Sequence, residues 1–460
     1  MTRETITIED FVPAGREKFY RGVPFTMPPG VARLEVRYRY SEQISSDPTL
    51  SGGNTVDLGL FDWRGDDFPA AGFRGWSGSE RSEFFVTPTD ATPGYMPGPL
   101  TPGTWHVALG FYKVGPNGCH YTVEVTFEYG DAAVTEFPPM LTLASPNYQP
   151  TPHADGWYKG ELHCHTIHSD GDSTAAEVIA AAEALGLDFL AITDHNNVTH
   201  LMELAALGVQ QIILIPGYEV TTYRGHWNVW GADSWVDFRV ESPEDMQHAV
   251  DYARQHVFLV SLNHPRPYGP PWEYPQTRGN QCIEVWNGPW FLFNETALNF
   301  WEDRIRQGER LVAVGGSDMH RLHTEHEEAR LATPTMWIYC PGAPTSEAIL
   351  SGLKSGHAFI SDGVDGPKLY LSYGSAMMGD VIQQPESGSA EFEVRAVDGA
   401  GLELQIIGAN GIVQKIAVEE PDQTFTCTVP VKDTPYIRAQ LVERDEDLVV
   451  RALTNPIYVE

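Results

Sequence analysis

The stretch ELHCHTIHSDG, residues 161–171, sets His163, His165, His168 and Asp170 within eight positions. Side chains alternate along a strand, so His163 and His165 face one side and Cys164 the other. Two imidazoles on one side can grip one ion, which then needs partners from elsewhere. The segments that follow supply them in a regular beat. Strand-like YKGELHCHT leads into the helix STAAEVIAAAEALG, with Ser173 or Thr174 as its cap and Gly186 as its stop. FLAITDH, VTHLMELAALG and QIILIPGYEV continue as strand, helix, strand. SPEDMQHAVDYARQH with VFLVSLNHP comes next, followed by QCIEVWN, NETALNFWEDRIRQG and RLVAVGGSDMH, and finally TPTMWIYC with SEAILSGLKSG. Strand and helix alternate about seven times in roughly 210 residues, the rhythm of a parallel α/β barrel.

The grammar differs on both sides. Residues 1–145 read as an N-terminal β-sandwich of jelly-roll type: VARLEVRYRYS, TVDLGLFD, SEFFVTP, GTWHVALGFYK and HYTVEVTFEY are strand-length pieces separated by Gly, Pro, Asn and Asp. The segment FPPMLTLASPNYQPTPHADG holds five prolines. It ends in a linker placed at 146–157, ahead of a barrel at 158–364. From 365 to 460 short strands return (KLYLSYG, AEFEVRAV, LELQIIG, FTCTVPV, YIRAQLVERD), which predicts a small C-terminal β-sandwich.

Lys plus Arg number 30 against 62 Asp plus Glu, a formal charge of -32. A field of that sign repels nucleic-acid polymers, while a small anion remains admissible where bound metal reverses the local potential. The five cysteines are scattered and odd in number, which excludes a disulfide framework or a cysteine zinc site. The start, MTRETITIEDFV, lacks a signal peptide's apolar run, and no stretch approaches the roughly 20 apolar residues of a membrane span. The expectation is a cytoplasmic protein without a membrane partner, with homo-oligomer formation left open.

Metal-type residues recur where the barrel strands end: His163 and His165, then Asp194 and His195, Glu219, His226, His264, and finally Asp318 and His320. Barrel enzymes assemble their sites from that face. Any one of these histidines alone is better read as a cap or a hydrogen-bonded core residue. Nine in register with apolar strands are poorly explained that way. Asp318 and His320 repeat the spacing of His163 and His165. Imidazole plus carboxylate without thiolate suits Zn²⁺, Mn²⁺ or Fe²⁺, and so many donors oversupply one ion, so two or three are expected.

ELHCHTIHSDG, AITDHN, PGYEV, GHWN, NHP and SDMH together resemble the PHP (polymerase and histidinol phosphatase) superfamily over residues 158–362. The β flanks, with GHWNVWG and IEVWNG, look more like its CehA/McbA-type branch. The resemblance implies a distorted (β/α)7 barrel with a trinuclear centre. By motif, His163, His165, Glu219 and Asp318 would hold a first ion. Glu219 would bridge to a second, completed by His226 and His264, and Asp170, His195 and His320 would hold a third. Asp194 is expected to be a supporting carboxylate. Catalysis would centre on Glu219, Asp318 and His320, around a metal-bridging hydroxide that attacks a small anionic phosphomonoester or phosphodiester. A carboxylesterase or carbamate hydrolase of CehA type would use the same metals. A vestigial, purely binding barrel is disfavoured by the complete ligand set. Arg224, Arg266 and Arg321 are the candidate phosphate-orienting groups. His168, His323 and His326 are candidate acids, each with a loop histidine as its simpler reading. Trp227, Trp230, Trp272, Trp286 and Trp290 are expected to build core and rim.

Overall fold

The structure, a computed structural model, describes residues 2–130, 136–144, 148, 150–208, 210–232, 234–267, 271–324, 329–432, 434–444 and 448–460. Its N-terminal part is built from eight strands in two four-stranded antiparallel sheets. One runs Arg3–Val12, Cys119–Tyr129, Val31–Tyr40, Glu83–Val86; the other runs Phe19–Met27, Gly103–Lys113, Thr55–Phe61, Phe73–Gly78. Alternate residues face inward as period two requires. Leu34, Val36, Leu58, Leu60, Val107, Leu109, Val123 and Val125 are fully or almost fully buried in one shared cluster.

The middle of the chain is mixed α/β. Five helices are described: Ala175–Ala184, Thr199–Ala206, Pro243–His256, Asn294–Arg306 and Ser346–Lys354. The first is closed by a capping box, in which Thr174 accepts from the Glu177 N–H and the Glu177 side chain returns to the Thr174 N–H. Ser242, followed by Pro243, caps the third in the same way.

Continuous strand pairing does not draw one closed barrel. Trp157–Glu161, Phe189–Leu190 and Ile213–Leu214 pair in parallel within one sheet; Leu259–Leu262, Cys282–Asn287 and Val312–Gly316 pair in parallel within another. Among the described residues, strand pairing between the two is limited to single parallel bridges, Cys164 with Met319 and His195 with Glu219. Two local features depart from the expected rhythm. The apolar run QIILIPGYEV splits at Pro216, which has no N–H for a ladder, into Ile213–Leu214 and Gly217–Thr222. The second piece then turns back through Gly225–Trp230 as an antiparallel hairpin, with no helix between.

The C-terminal strands do not stand apart. Ala358–Ser361 pairs with Val450–Thr454, which continues through Tyr436–Val442 to Glu403–Gly408, so the sheet crosses position 365. A separate sheet holds Lys368–Tyr373, Ser389–Val397 and Asp422–Pro430, and a third core lies among Leu369, Phe392, Val394, Leu404, Ile406 and Leu441. Asn455 ties this region to the middle. Its Oδ1 accepts from the Ala313 N–H at 2.7 Å and its Nδ2 donates to the carbonyls of Ala313 and Ala358.

The N-terminal sheets are also locked on. Phe73 stacks on Trp235 at 4.1 Å, Lys18 meets Glu273 at 2.6 Å, and the Tyr223 hydroxyl donates to buried Asp57 at 2.5 Å. Gly110 makes the last contact feasible, since a Cβ there would lie 2.0 Å from that hydroxyl. All five cysteines are unpaired and buried. Among the described residues no helix is long and apolar enough to cross a membrane.

Asn455→Ala strands a buried N–H and removes three hydrogen bonds. It is expected to cost about 1–3 kcal/mol in chemical denaturation, against a near-neutral effect for an exposed change such as Ser387→Ala.

Candidate metal centre

The site is assembled where strands stop. His163 and His165 leave the end of Trp157–Glu161, and His195 follows Phe189–Leu190. Glu219 and His226 lie on the two arms of the hairpin, His264 follows Leu259–Leu262, and Asp318 with His320 follows Val312–Gly316. Gly316 is needed for close approach, because a Cβ there would sit 2.4 Å from the His163 Cβ. His264 and Asp318 hold φ of 30° and 55° without being glycine. Such strain costs about 1 kcal/mol or more at each and persists only where surrounding contacts enforce it.

Glu219 is the hub. It is completely buried, with Oε1 3.5 Å from His163 Nε2, 3.4 Å from His226 Nδ1 and 3.4 Å from His264 Nε2. Its Oε2 lies 2.7 Å from His195 Nδ1. Asn263 Nδ2 donates to Oε1 at 2.8 Å. Asp318 Oδ1 sits 3.2 Å from His163 Nε2 and 2.9 Å from His165 Nε2. Three sets of donor atoms are close enough to share an ion: His163, His165 and Glu219; Glu219, His226 and His264; and His165, Asp170, His195 and His320. All nine sequence-derived candidates therefore lie in one cluster. The partition differs in two respects: His165 borders the third set as well as the first, and Asp318 lies beside the first set without completing it.

The donor set fits divalent metal on internal grounds. His163 Nε2, His165 Nδ1 and Asp170 Oδ1 are buried without a hydrogen-bond partner. His195 Nε2 and His320 Nε2 face each other at 3.4 Å, both near Asp170 Oδ1. The outer nitrogens are committed instead: His163 Nδ1 to Glu284 at 2.8 Å and His320 Nδ1 to the Asp318 carbonyl at 2.8 Å. Acceptors at those positions hold the protons on Nδ1 and turn the Nε2 lone pairs inward, as ligation requires. Burial opposes ionisation of Glu219, yet His163, His226 and His195 hold its carboxyl well below the usual range. Burial, then His320 and His195, push the His165 imidazole down to about 4. It is neutral, and so able to ligate, near pH 7.

Several sequence candidates lie elsewhere. Arg266 is buried and donates to the Asn287 carbonyl, Asn287 Oδ1 and Asn294 Oδ1. Arg224 pairs with Glu273 at 2.7 Å. Arg321 donates to the Asp170 carbonyl, which places it beside the third set. His168 is held between Thr199 Oγ1 at 2.8 Å and Glu203 Oε2 at 2.6 Å. His323 is exposed with Glu177 3.7 Å away, and His326 lies outside the described residues. Asp194 accepts from Thr166 and Ser169 and supports the loop that carries Asp170. Trp227 and Trp230 are buried in the core. The indoles of Trp272, Trp286 and Trp290 donate to backbone carbonyls.

The sequence reading missed Glu284, Asn263 and Thr221. Thr221 Oγ1 is 2.5 Å from His195 Nδ1. Glu284 also accepts from the His264 N–H and from Asn287. Its signal was a carboxylate inside the apolar run CIEVWN, where a charge needs a partner. The reading also missed a cavity of about 290 Å³ over Asp170, His195 and His226. The N-terminal sheets cover it with Trp76 and Tyr112, and Tyr223 joins them from the hairpin.

Comparison with known proteins now bears on this geometry. Residues 161–266 match the family model of the PHP domain. That segment is similar to the PHP domain. By that match the chain is a hydrolase. No curated protein matches the chain. Among solved structures, a two-domain protein from Bacteroides vulgatus, described as containing a predicted PHP-like metal-dependent phosphoesterase, is 17% identical, with 68% of this chain and 98% of that one covered at a TM-score of 0.36. A candidate metal-dependent phosphoesterase from Bifidobacterium adolescentis is 16% identical, with 44% and 97% covered at a TM-score of 0.27. An amidohydrolase from Chromobacterium violaceum with bound sulfate is 18% identical, with 37% and 89% covered at 0.25.

Glu284→Gln leaves the candidate ligands in place and weakens the acceptor on His163 Nδ1. Metal affinity, read by competition with a chromogenic chelator, is expected to fall about 10- to 100-fold.

Proposed function

We propose that the chain is a metal-dependent phosphoesterase that cleaves small phosphomonoesters or phosphodiesters. The observation that supports it is the buried Glu219 carboxylate with four imidazoles within 3.5 Å, flanked by the His165, Asp170, His195 and His320 set. In this reading two or three divalent ions (Zn, Mn or Fe) are held by His163, His165, Glu219 and Asp318, by Glu219, His226 and His264, and by Asp170, His195 and His320. Such ions supply Lewis-acid polarisation of the substrate's oxygens and a water acidified towards neutral pH. The chain's own part is to fix the donors. Glu284 and the Asp318 carbonyl keep protons on the outer imidazole nitrogens, and Thr221 and Asn263 orient His195 and Glu219. Asp318 and Glu219 provide the negative charge that balances the cations. Of the two described acid candidates, His168 is engaged on both nitrogens and His323 is exposed beside Glu177. Neither is given a part in proton transfer.

The fold that goes with this reading is a distorted (β/α)7 barrel at 158–364, with the jelly-roll-like sandwich at 1–145, the linker at 146–157 and the smaller sandwich at 365–460. The N-terminal strand orders, first-eighth-third-sixth and second-seventh-fourth-fifth, support the jelly roll. A cytoplasmic location belongs to the same proposal.

One observation favours a second reading. The cavity over the candidate ligands is walled by Trp76, Tyr112 and Tyr223, and no Lys or Arg is among its lining residues. An aromatic wall without cationic groups suits a carboxyl ester or carbamate, the chemistry of a CehA-type hydrolase, as well as a phosphoester.

Two chromogenic substrates separate the readings. With protein reconstituted in Mn²⁺, Zn²⁺ or Fe²⁺, an aryl phosphate is expected to be hydrolysed, and the rate to vanish with chelator and with His163→Ala. Hydrolysis of an aryl acetate alone would transfer the chain to the ester and carbamate class. Glu219→Ala is expected to lose bound metal by elemental analysis and at least about 100-fold in kcat/KM; full metal content with wild-type turnover would remove Glu219 from its role.

A further inference from the structure

An alcohol leaving phosphorus needs a proton, and neither His168 nor His323 is placed to give one. Asp57 is a carboxyl of the same cavity that no other role absorbs. Side chains alternate along Thr55–Phe61, so Val56, Leu58 and Leu60 enter the core between the two N-terminal sheets, while Asp57 and Phe61 turn to the opposite face. Phe61, Ala108 and Trp76 belong to the core that this face shares with the middle of the chain. Asp57 therefore stands among apolar neighbours where two modules meet. It is 8% exposed and lines the cavity together with His195 and His226. Its Oδ2 accepts from the Tyr223 hydroxyl at 2.5 Å, and no Lys or Arg pairs with it among the described residues. A carboxyl serving only to pack this junction would be better matched by a cation or replaced by an amide, because burial penalises an unpaired anion. Burial holds the Asp57 carboxyl up at about 7, and the Tyr223 bond lowers it only in part. Near neutral pH it can both hold a proton and release one, as acid catalysis requires.

Resting on the phosphoesterase reading, we propose that Asp57 is the general acid that protonates the departing alcohol oxygen. The Tyr223 bond occupies Oδ2, which leaves Oδ1 to carry the proton. The P–O bond to an incoming water forms as the P–O bond to the alcohol breaks. Asp57 passes its proton to the alcohol oxygen, and the proton released from the water restores the Asp57 carboxyl. One water is consumed for one alcohol and one phosphate product. The N-terminal module then completes the reacting site as well as covering it. The phenols around Asp57, those of Tyr20, Tyr38, Tyr40, Tyr112 and Tyr223, are all pushed above the ordinary phenol range by burial and stay neutral near pH 7. Asp47, Glu80, Asp170, His195 and His226 are the other titratable side chains besides these that line the cavity.

The test uses the full chain reconstituted with Mn²⁺ and compares leaving groups. A nitrophenyl phosphate releases an anion that is stable without a proton; an alkyl phosphate does not. Asp57→Asn keeps an acceptor for Tyr223 and has no proton to give. Its kcat/KM is expected to fall about 100-fold or more on the alkyl phosphate, and less than about tenfold on the nitrophenyl phosphate. The ratio of wild-type to variant kcat/KM on the alkyl phosphate is expected to decline as pH rises through about 7, because only wild type then loses a proton donor. Titration of the substrate and of the ligands is common to both proteins and cancels. In Tyr223→Phe, with its thermal midpoint measured to verify folding, the wild-type decline is expected to move to higher pH, since the bond that lowers Asp57 is gone. Equal losses on both phosphates, the mark of a structural role, or a ratio flat with pH would overturn the assignment. Hydrolysis of aryl and alkyl acetates but of neither phosphate would remove the phosphoesterase reading alone. The same comparison on the acetates would then support Asp57 by a larger loss on the alkyl ester, or overturn it by equal losses.

Discussion

A buried carboxylate is tolerable only when fully compensated, and the centre of this protein is organised around one. Glu219 has no exposed surface, and imidazoles from four other strand ends converge on it. Removing such a charge from water costs several kcal/mol, which hydrogen bonds from Asn263 and Thr221 offset only in part. Inward-turned lone pairs and unpartnered buried nitrogens describe an arrangement completed by cations. The strained backbone at His264 and Asp318 belongs with it, since both residues are bent to bring their side chains onto the same few ångströms.

That convergence depends on the surrounding architecture. The hairpin Gly217–Trp230 carries Glu219 on one arm and His226 on the other, and its turn region sends Tyr223 into the N-terminal sheets. Tyr223 stacks on Tyr20 and Tyr112 and reaches Asp57, so one short segment positions two candidate ligands and docks the neighbouring module. The N-terminal sheets form part of the wall above the centre. Burial holds the Asp57 carboxyl up at about 7, and the Tyr223 hydroxyl bond counters only part of that.

Much of the centre was legible without coordinates. The spacing His163-x-His165 and Asp318-x-His320, each after an apolar run, marks paired donors, although Asp318 takes a left-handed backbone and not an extended one. The capping boxes at Thr174 and Ser242 are equally local, because a side chain and an N–H three residues away settle them. Illegible were the residues that act through contacts distant in sequence. Glu284 supports His163 across 121 positions, and its own strand gives no hint of which imidazole it faces. Arg266 lies two positions from a candidate ligand and reads as a phosphate clamp, yet it is consumed by Asn287 and Asn294. QIILIPGYEV reads as one strand; its break at Pro216 and the antiparallel return after it are a matter of partner choice.

The sequence by itself determined the local chemistry: which residue types stand at strand ends, which segments are helix or strand, and the one-sided charge. Those follow from period, capping and composition, all short-range properties of the chain. Only the tertiary structure decided that two sheets meet at single bridges beside the candidate ligands, that the C-terminal strands extend the central sheet, and that Trp76 and Tyr112 roof the centre. Each of these depends on which surfaces bury one another, a long-range choice set by side-chain packing between segments that no local pattern encodes.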